Sequence, residues 1–375
     1  MRAFDYSKLK DSKWDTRLVT LIGKIHECKG RQDLYVRQKP AELERLVEIA
    51  RAQSTESSNR IEGIVTTGTR MRQLFKKKTT PKTRDEGELM GYLSVLNTIH
   101  ASHDFIPVRP QFILQLHRDL LKPAGLSYAG WFKNVQNYIN ETRADGTVIT
   151  RFTPVAPYET PEAVEAICFS YEQARSREEI DPLLLIPVFI CDFLCIHPFN
   201  DGNGRMSRLL TLLLLYRNGF EVGKYISIEK QIEATKDAYY DALRQADAGW
   251  HEGKSDPTPF IRYLLQVLLA CYAELEERVG LAHQAGVRSS AYAVVRAYVR
   301  GKIGKFTSAD VLAHCPSVGR SSAHAALKRL AEEGSISKFG AARGTYYVSN
   351  ELETLVESSN KQAYRPKWQP VWTIL

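Results

Sequence analysis

Apolar residues recur at helical spacing along most of the chain. Leu18, Leu21, Ile22 and Ile25, then Leu43, Leu46, Val47 and Ile49, mark two amphipathic helices, the second opened by Pro40. Glu86 to Ile99, Pro110 to Leu121 and Pro161 to Ser176 continue the period. Leu183 to Ile196 and Leu209 to Asn218 are apolar on every face, which predicts buried helices. Ile232 to Gln245 and the long run Thr258 to Glu277 complete the helical set. Alternation replaces this period at Asn134 to Ile139 and Val148 to Phe152, around a turn through Ala144-Asp145-Gly146, and predicts a hairpin. Arg278 to Arg288 reads as a linker. Beyond it, Ser290 to Val299, Thr307 to His314 and Gly319 to Glu333 predict three helices, followed by short strands at Ile336 to Phe339 and Thr345 to Val348. The fold class is mainly α.

At 375 residues the chain is long enough for two or three domains with cores of their own. Its 43% hydrophobic and 25% charged residues are those of a soluble globular protein. The longest apolar run is interrupted by Asp192, short of the roughly 18 residues a bilayer needs, and Met1 to Tyr6 carries no signal-peptide core. A cytoplasmic protein without membrane contact is expected. Six cysteines form no Cys-x-x-Cys pair, and even Cys191 and Cys195, four apart on one helix, read as buried reduced thiols rather than zinc ligands. Charge adds one asymmetry: residues 288–348 hold ten Lys/Arg against three Asp/Glu, so nearly all of the net +8 sits there.

The chemistry is concentrated between the two buried helices, in His197-Pro198-Phe199-Asn200-Asp201-Gly202-Asn203-Gly204-Arg205-Met206-Ser207-Arg208. Pro198 and the Asn/Gly sequence make a tight turn, which aims backbone N–H groups and the positive end of the next helix into one space. That is an anion site. Arg205 and Arg208 are three apart and are expected to reach the same anion. Asp201 stands where it can hold a divalent cation between phosphates, and His197 where a general base belongs. These residues alone describe a metal-bound nucleotide beside a base.

The stretch resembles the Fic family signature, His-Pro-Phe-x-Asp/Glu-Gly-Asn-Gly-Arg-x-x-Arg, at every specified position. The resemblance implies a helical enzyme that transfers AMP from ATP to a Ser, Thr or Tyr hydroxyl of a target protein. His197 would then be the catalytic base. Asp201 would hold Mg²⁺ (or Mn²⁺), Gly202, Asn203, Gly204 and Ser207 would line the phosphates, and Arg205 and Arg208 would neutralise pyrophosphate. The hairpin, about 130–155, would be a flap on which the target docks as an added strand, although the family usually has arginine where Lys133 stands. Tyr239 and Tyr240 match a double tyrosine that helps line the adenine pocket.

Upstream, Ser54-Thr55-Glu56-Ser57-Ser58 reads as a cap leading into a short helix ended by Gly63. Ser58-x-x-x-Glu62-Gly63 resembles the Fic inhibitory helix, which implies that Glu62 pairs with Arg208 and takes the γ-phosphate's place. His117, on a helix, reads as structural. The C-terminal helices and strands resemble a winged helix, with Arg320, Lys328, Arg329, Lys338 and Arg343 on its third helix and strands. The expected layout is 1–75 helical with the inhibitory segment at 54–63, 76–277 catalytic, 278–350 linker and winged helix, and 351–375 a tail. ATP and a target protein are the expected partners; DNA through the winged helix and a second copy in a homodimer stand open. A DNA-binding regulator using the Fic domain as a sensor, and an enzyme that also removes AMP, are the alternatives.

Overall fold

The computed structural model describes residues 2–38, 40–75, 79–142, 145–283, 291–300, 302, 304–315, 318–341 and 344–350. Five helices come first: α1 (Thr16–Gln38), α2 (Pro40–Ile61), α3 (Gly68–Phe75), α4 (Arg84–Ser102) and α5 (Pro110–Leu121). An antiparallel hairpin follows, β1 (Ile139–Thr142) and β2 (Val148–Phe152). Then come α6 (Thr160–Arg177), α7 (Pro182–Ile196), α8 (Asn203–Arg217), α9 (Val222–Tyr225), α10 (Ile228–Ala234), α11 (Lys236–Asp247) and α12 (Thr258–His283). The last part comprises α13 (Ala291–Arg300), β3 (Lys305–Phe306), α14 (Ser308–His314), α15 (Arg320–Glu332), β4 (Ile336–Phe339) and β5 (Tyr346–Ser349), with strand order β3-β5-β4.

The core is centred on α7. Asp181 opens that helix by accepting the Leu183 N–H at 2.8 Å, and Pro182 supplies the preset φ of a first turn. From Leu183 to Ile196 all but Leu194 are buried. Asp192 is tolerated there because Tyr6 and Trp250 donate to its two oxygens at 2.9 and 2.7 Å. A second core, around Val295, Val299, Phe306, Leu327, Leu330 and Ile336, belongs to the last helices and strands. Each buried side chain of this kind contributes about 1.5–3 kcal/mol, so both cores are held by their own apolar area.

Several expectations are corrected. Ser54 to Ser58 do not cap a short helix; they lie inside α2, which runs unbroken to Ile61 before Gly63 takes φ +80°. Tertiary contacts override local preference there, since the Ser54 hydroxyl donates to Ser227 at 2.9 Å. The first hairpin strand begins at Ile139 rather than Asn134. Helix α12 continues to His283, through the start of the expected linker. Helix α3 and strand β3 were not anticipated. Arg343, residues 284–290 and the tail lie outside the described residues. No described helix is long and apolar enough to cross a membrane.

Candidate active site

Helix α7 ends at His197 without a glycine. Its N–H donates to Phe193 O at 2.9 Å while the residue takes φ +51°, ψ +62°, a left-handed conformation that costs a non-glycine residue about 1–2 kcal/mol. The turn folds the imidazole back, so Nδ1 lies 3.2 Å from Leu194 O. A carbonyl only accepts, hence Nδ1 carries the proton and Nε2 keeps its lone pair. Burial, reinforced by the Lys133 ammonium, lowers the imidazole to about 3 against weaker opposition from Leu194 O and Asp201. His197 is therefore a neutral imidazole at physiological pH.

The loop that follows is closed by its own amide: Asn203 Oδ1 accepts from Phe199 N–H at 2.9 Å, and its Nδ2 donates to Phe199 O at 2.7 Å. Gly202, at φ +84°, lets α8 start immediately, leaving the first-turn N–H groups without carbonyl partners inside the helix. His117 supports this loop from beneath. It stacks on Phe199 with ring centroids 3.6 Å apart, accepts the Gly130 N–H at Nδ1 and lies 3.0 Å from Asp201 O through Nε2. The two bonds fix one neutral tautomer, and burial lowers the ring to about 4.

Arg205 departs from expectation. Its guanidinium is buried and pairs with Glu88 and, at 3.4 Å, with Asp201. Arg84 then pairs with Glu88 at 2.6 Å and Asp201 at 3.1 Å. Arg205 is thus committed to the carboxylates beneath the loop and is not turned beside Arg208 toward one anion.

Arg208 meets the end of α2. Its Nε donates to Ser58 Oγ at 2.8 Å, and Nη2 donates to Ser58 O at 2.9 Å and to Glu62 Oε1 at 2.8 Å. Glu62 also crowds Gly204: a Cβ at that position would run into Oε1. Tyr239 is buried in contact with Ser207 and Arg208, while Ser207 Oγ itself donates back to Gly204 O at 2.7 Å. Lys236 Nζ donates to Ile61 O at 2.8 Å, and Arg60 pairs with Glu233 at 2.9 Å, so the end of α2 is anchored immediately before Glu62.

Several of these side chains line one cavity. Glu62, His197, Gly204, Arg208, Tyr239 and Tyr240, all expected, line it together. Asp201, Gly202, Asn203, Arg205, Ser207 and Ser58, also expected, are not among its lining residues. The apolar side is Cys191, Leu194, Cys195 and Leu243, so two of the buried free thiols face the cavity. At its far side Arg151 of β2 grips Asp247 of α11 at 2.7 and 2.8 Å, closing the hairpin over the opening. Glu88 and Arg84 carry no local signal and went unseen, and the contacts of Lys133 were not foreseen, because their roles depend on partners distant in sequence.

Residues 107–215 match the model of the Fic/DOC family. The chain is 31% identical over 186 residues to protein adenylyltransferase fic-1 of Caenorhabditis elegans, covering 48% of this chain and 32% of that protein. It is 28% identical over 218 residues to protein adenylyltransferase Fic of Culex quinquefasciatus, covering 54% and 38%. It therefore spans about a third of the length of the relatives it matches. In fold it is similar to a Fic family protein from Desulfovibrio desulfuricans, with a TM-score of 0.58 at 21% identity over 90% of this chain and 97% of that one. A solved structure of residues 134–508 of C. elegans Fic-1 gives 0.57 at 21% identity, over 72% of this chain and 74% of that one.

Proposed function

We propose that this chain, whose residues 107–215 match the Fic/DOC family, transfers AMP from ATP to a hydroxyl of a target protein and that Glu62 restrains the reaction. The observation that carries this reading is one cavity lined by a neutral histidine, the glycine at the start of α8 and Arg208. The hydroxyl oxygen attacks the α-phosphorus, its proton passes to His197 Nε2, and the bond to the bridging oxygen breaks as pyrophosphate leaves. The N–H groups of the first turn of α8 and Arg208 stabilise phosphate charge. Asp201, with a side chain 29% exposed, is the carboxylate that would hold a magnesium ion. Such an ion would neutralise phosphate charge. Arg205 and Arg84 hold that carboxylate in place.

With Glu62 on Arg208, the γ-phosphate's seat is taken by a group of the same charge sign. The test is self-modification with α-labelled ATP and Mg²⁺. Label should be strong in Glu62→Gly, weak in the unmutated chain and absent from His197→Ala/Glu62→Gly; equal label with and without His197 retires the mechanism.

We read α13 to β5 as a winged helix. Its basic bias favours a DNA-contact role. Arg320 and Lys328 are exposed on α15, whereas Arg329 is committed to Glu333 at 2.8 Å and to the Tyr292 ring. Neutralising Arg320 and Lys328 should weaken duplex binding and leave self-labelling unchanged; no binding of the unmutated chain at about 50 mM salt rejects the DNA role.

A further inference from the structure

The segment immediately before the hairpin is bonded to the catalytic turn. Lys133 N–H donates to Pro198 O at 2.8 Å, and Lys133 Nζ donates to Ile196 O at 2.9 Å. Asn137 Nδ2 donates to Phe199 O at 3.0 Å and to His197 O at 3.3 Å. Lys133 Nζ also reaches Asn137 Oδ1 at 3.0 Å, which fixes the two side chains to each other. The carbonyls of Ile196, His197, Pro198 and Phe199 are thus each taken by a donor from residues 133 and 137.

Those carbonyls lie at the end of α7, where helix geometry leaves C=O groups without partners. They also flank the strained residue. Without these donors the carbonyls of Ile196, His197 and Pro198 lose the partners described here, which favours relaxation of His197 out of the left-handed region, and that relaxation would swing the imidazole off Leu194 O. Lys133 is 3% exposed, a setting in which a lysine is kept only for a specific partner.

We propose that Lys133 and Asn137 are positioning residues that hold the backbone of the general base and tie it to the flap. The inference rests on the AMP-transfer reading. Asn137 is followed within two residues by β1, so a chain that pairs with the flap acts on the same segment that holds His197. Docking and base alignment are coupled through one short stretch of backbone.

In a Glu62→Gly background, Lys133→Met and Asn137→Ala should each lower the saturating self-labelling rate by about 10- to 100-fold, with the apparent KM for ATP unchanged within about twofold. Lys133→Arg, which keeps an N–H donor at this place, should restore most of the rate. A matching rise in KM, an unchanged rate, or Lys133→Arg behaving as Lys133→Met overturns the proposal. Imidazole ¹⁵N NMR of His197 gives a readout independent of activity. The parent should show one Nδ1–H tautomer and Asn137→Ala a mixture; a single unaltered tautomer in Asn137→Ala overturns the clamp. Should the Glu62→Gly parent take no label, the AMP-transfer reading is what fails, and the NMR comparison still decides the clamp.

Discussion

Replacing Glu62 by glycine tests the restraint most directly. Arg208 keeps two bonds to Ser58 and loses only the carboxylate, so the variant removes one charge-assisted bond from a pair whose side chains are 3% and 9% exposed. Such a bond contributes about 1.5–3 kcal/mol, which converts to a rise in self-labelling of about 10- to 150-fold if the released arginine is what ATP requires. Ser58→Ala removes one of the remaining bonds while Glu62 stays, and should give about 2- to 10-fold, from about 0.5–1.5 kcal/mol. The assay is the initial rate of label transfer from α-labelled ATP with Mg²⁺, with circular dichroism to establish that each variant is folded. A folded Glu62→Gly whose rate rises less than Ser58→Ala refutes the reasoning, because the ion pair would then contribute less than the hydroxyl beside it.

Other outcomes follow from the same geometry. His117→Leu strands the Gly130 N–H and Asp201 C=O and should lower stability by about 2–5 kcal/mol in urea denaturation. His100, His117 and His197 are lowered by burial to about 3, 4 and 3. The unfolded chain therefore binds more protons below pH ~6.5, so stability is full above that value and falls as pH drops toward the folded values, by about 2 kcal/mol per histidine at pH ~5. Urea midpoints at the two pH values check this, and an unchanged midpoint contradicts it. Thr307→Ala removes the side-chain half of the capping box on α14, the bond from Asp310 N–H to Thr307 Oγ1, and should cost about 1 kcal/mol in the C-terminal core, leaving the self-labelling of Glu62→Gly unaltered.

Much of this was legible because it is local. The His197–Arg208 stretch announces a turn between buried helices through Pro198 and its glycines, and both helices are present. The pairing of Glu62 with Arg208 was legible through a pattern of residues rather than through energetics. What escaped depends on distance along the chain. Nothing near Arg205 says that Glu88, 117 residues away, will claim its guanidinium. Lys133 looked like the family's arginine with one change, and only the folded chain shows its ammonium sunk among the carbonyls of α7. Ser54 to Ser58 misled because their cap preference is real but weak, and buried hydroxyl contacts along α2 outweigh it. Residues 134–138 alternate like a strand, yet Asn137 turns inward to the catalytic loop, and strand pairing starts only beyond it.

The contact between Glu62 and Gly204 has a kinetic meaning. On the proposed AMP-transfer reading, a carboxylate that shares both an arginine and a patch of backbone with an incoming phosphate is a tethered competitor, and its local concentration is set by the anchoring of α2, not by how much protein is present. Dilution leaves the restraint untouched. Rising nucleotide erodes it, so its apparent strength is a function of the ATP level at which it is measured, and loosening the Arg60–Glu233 or Lys236 anchor shifts that balance without any change at the base.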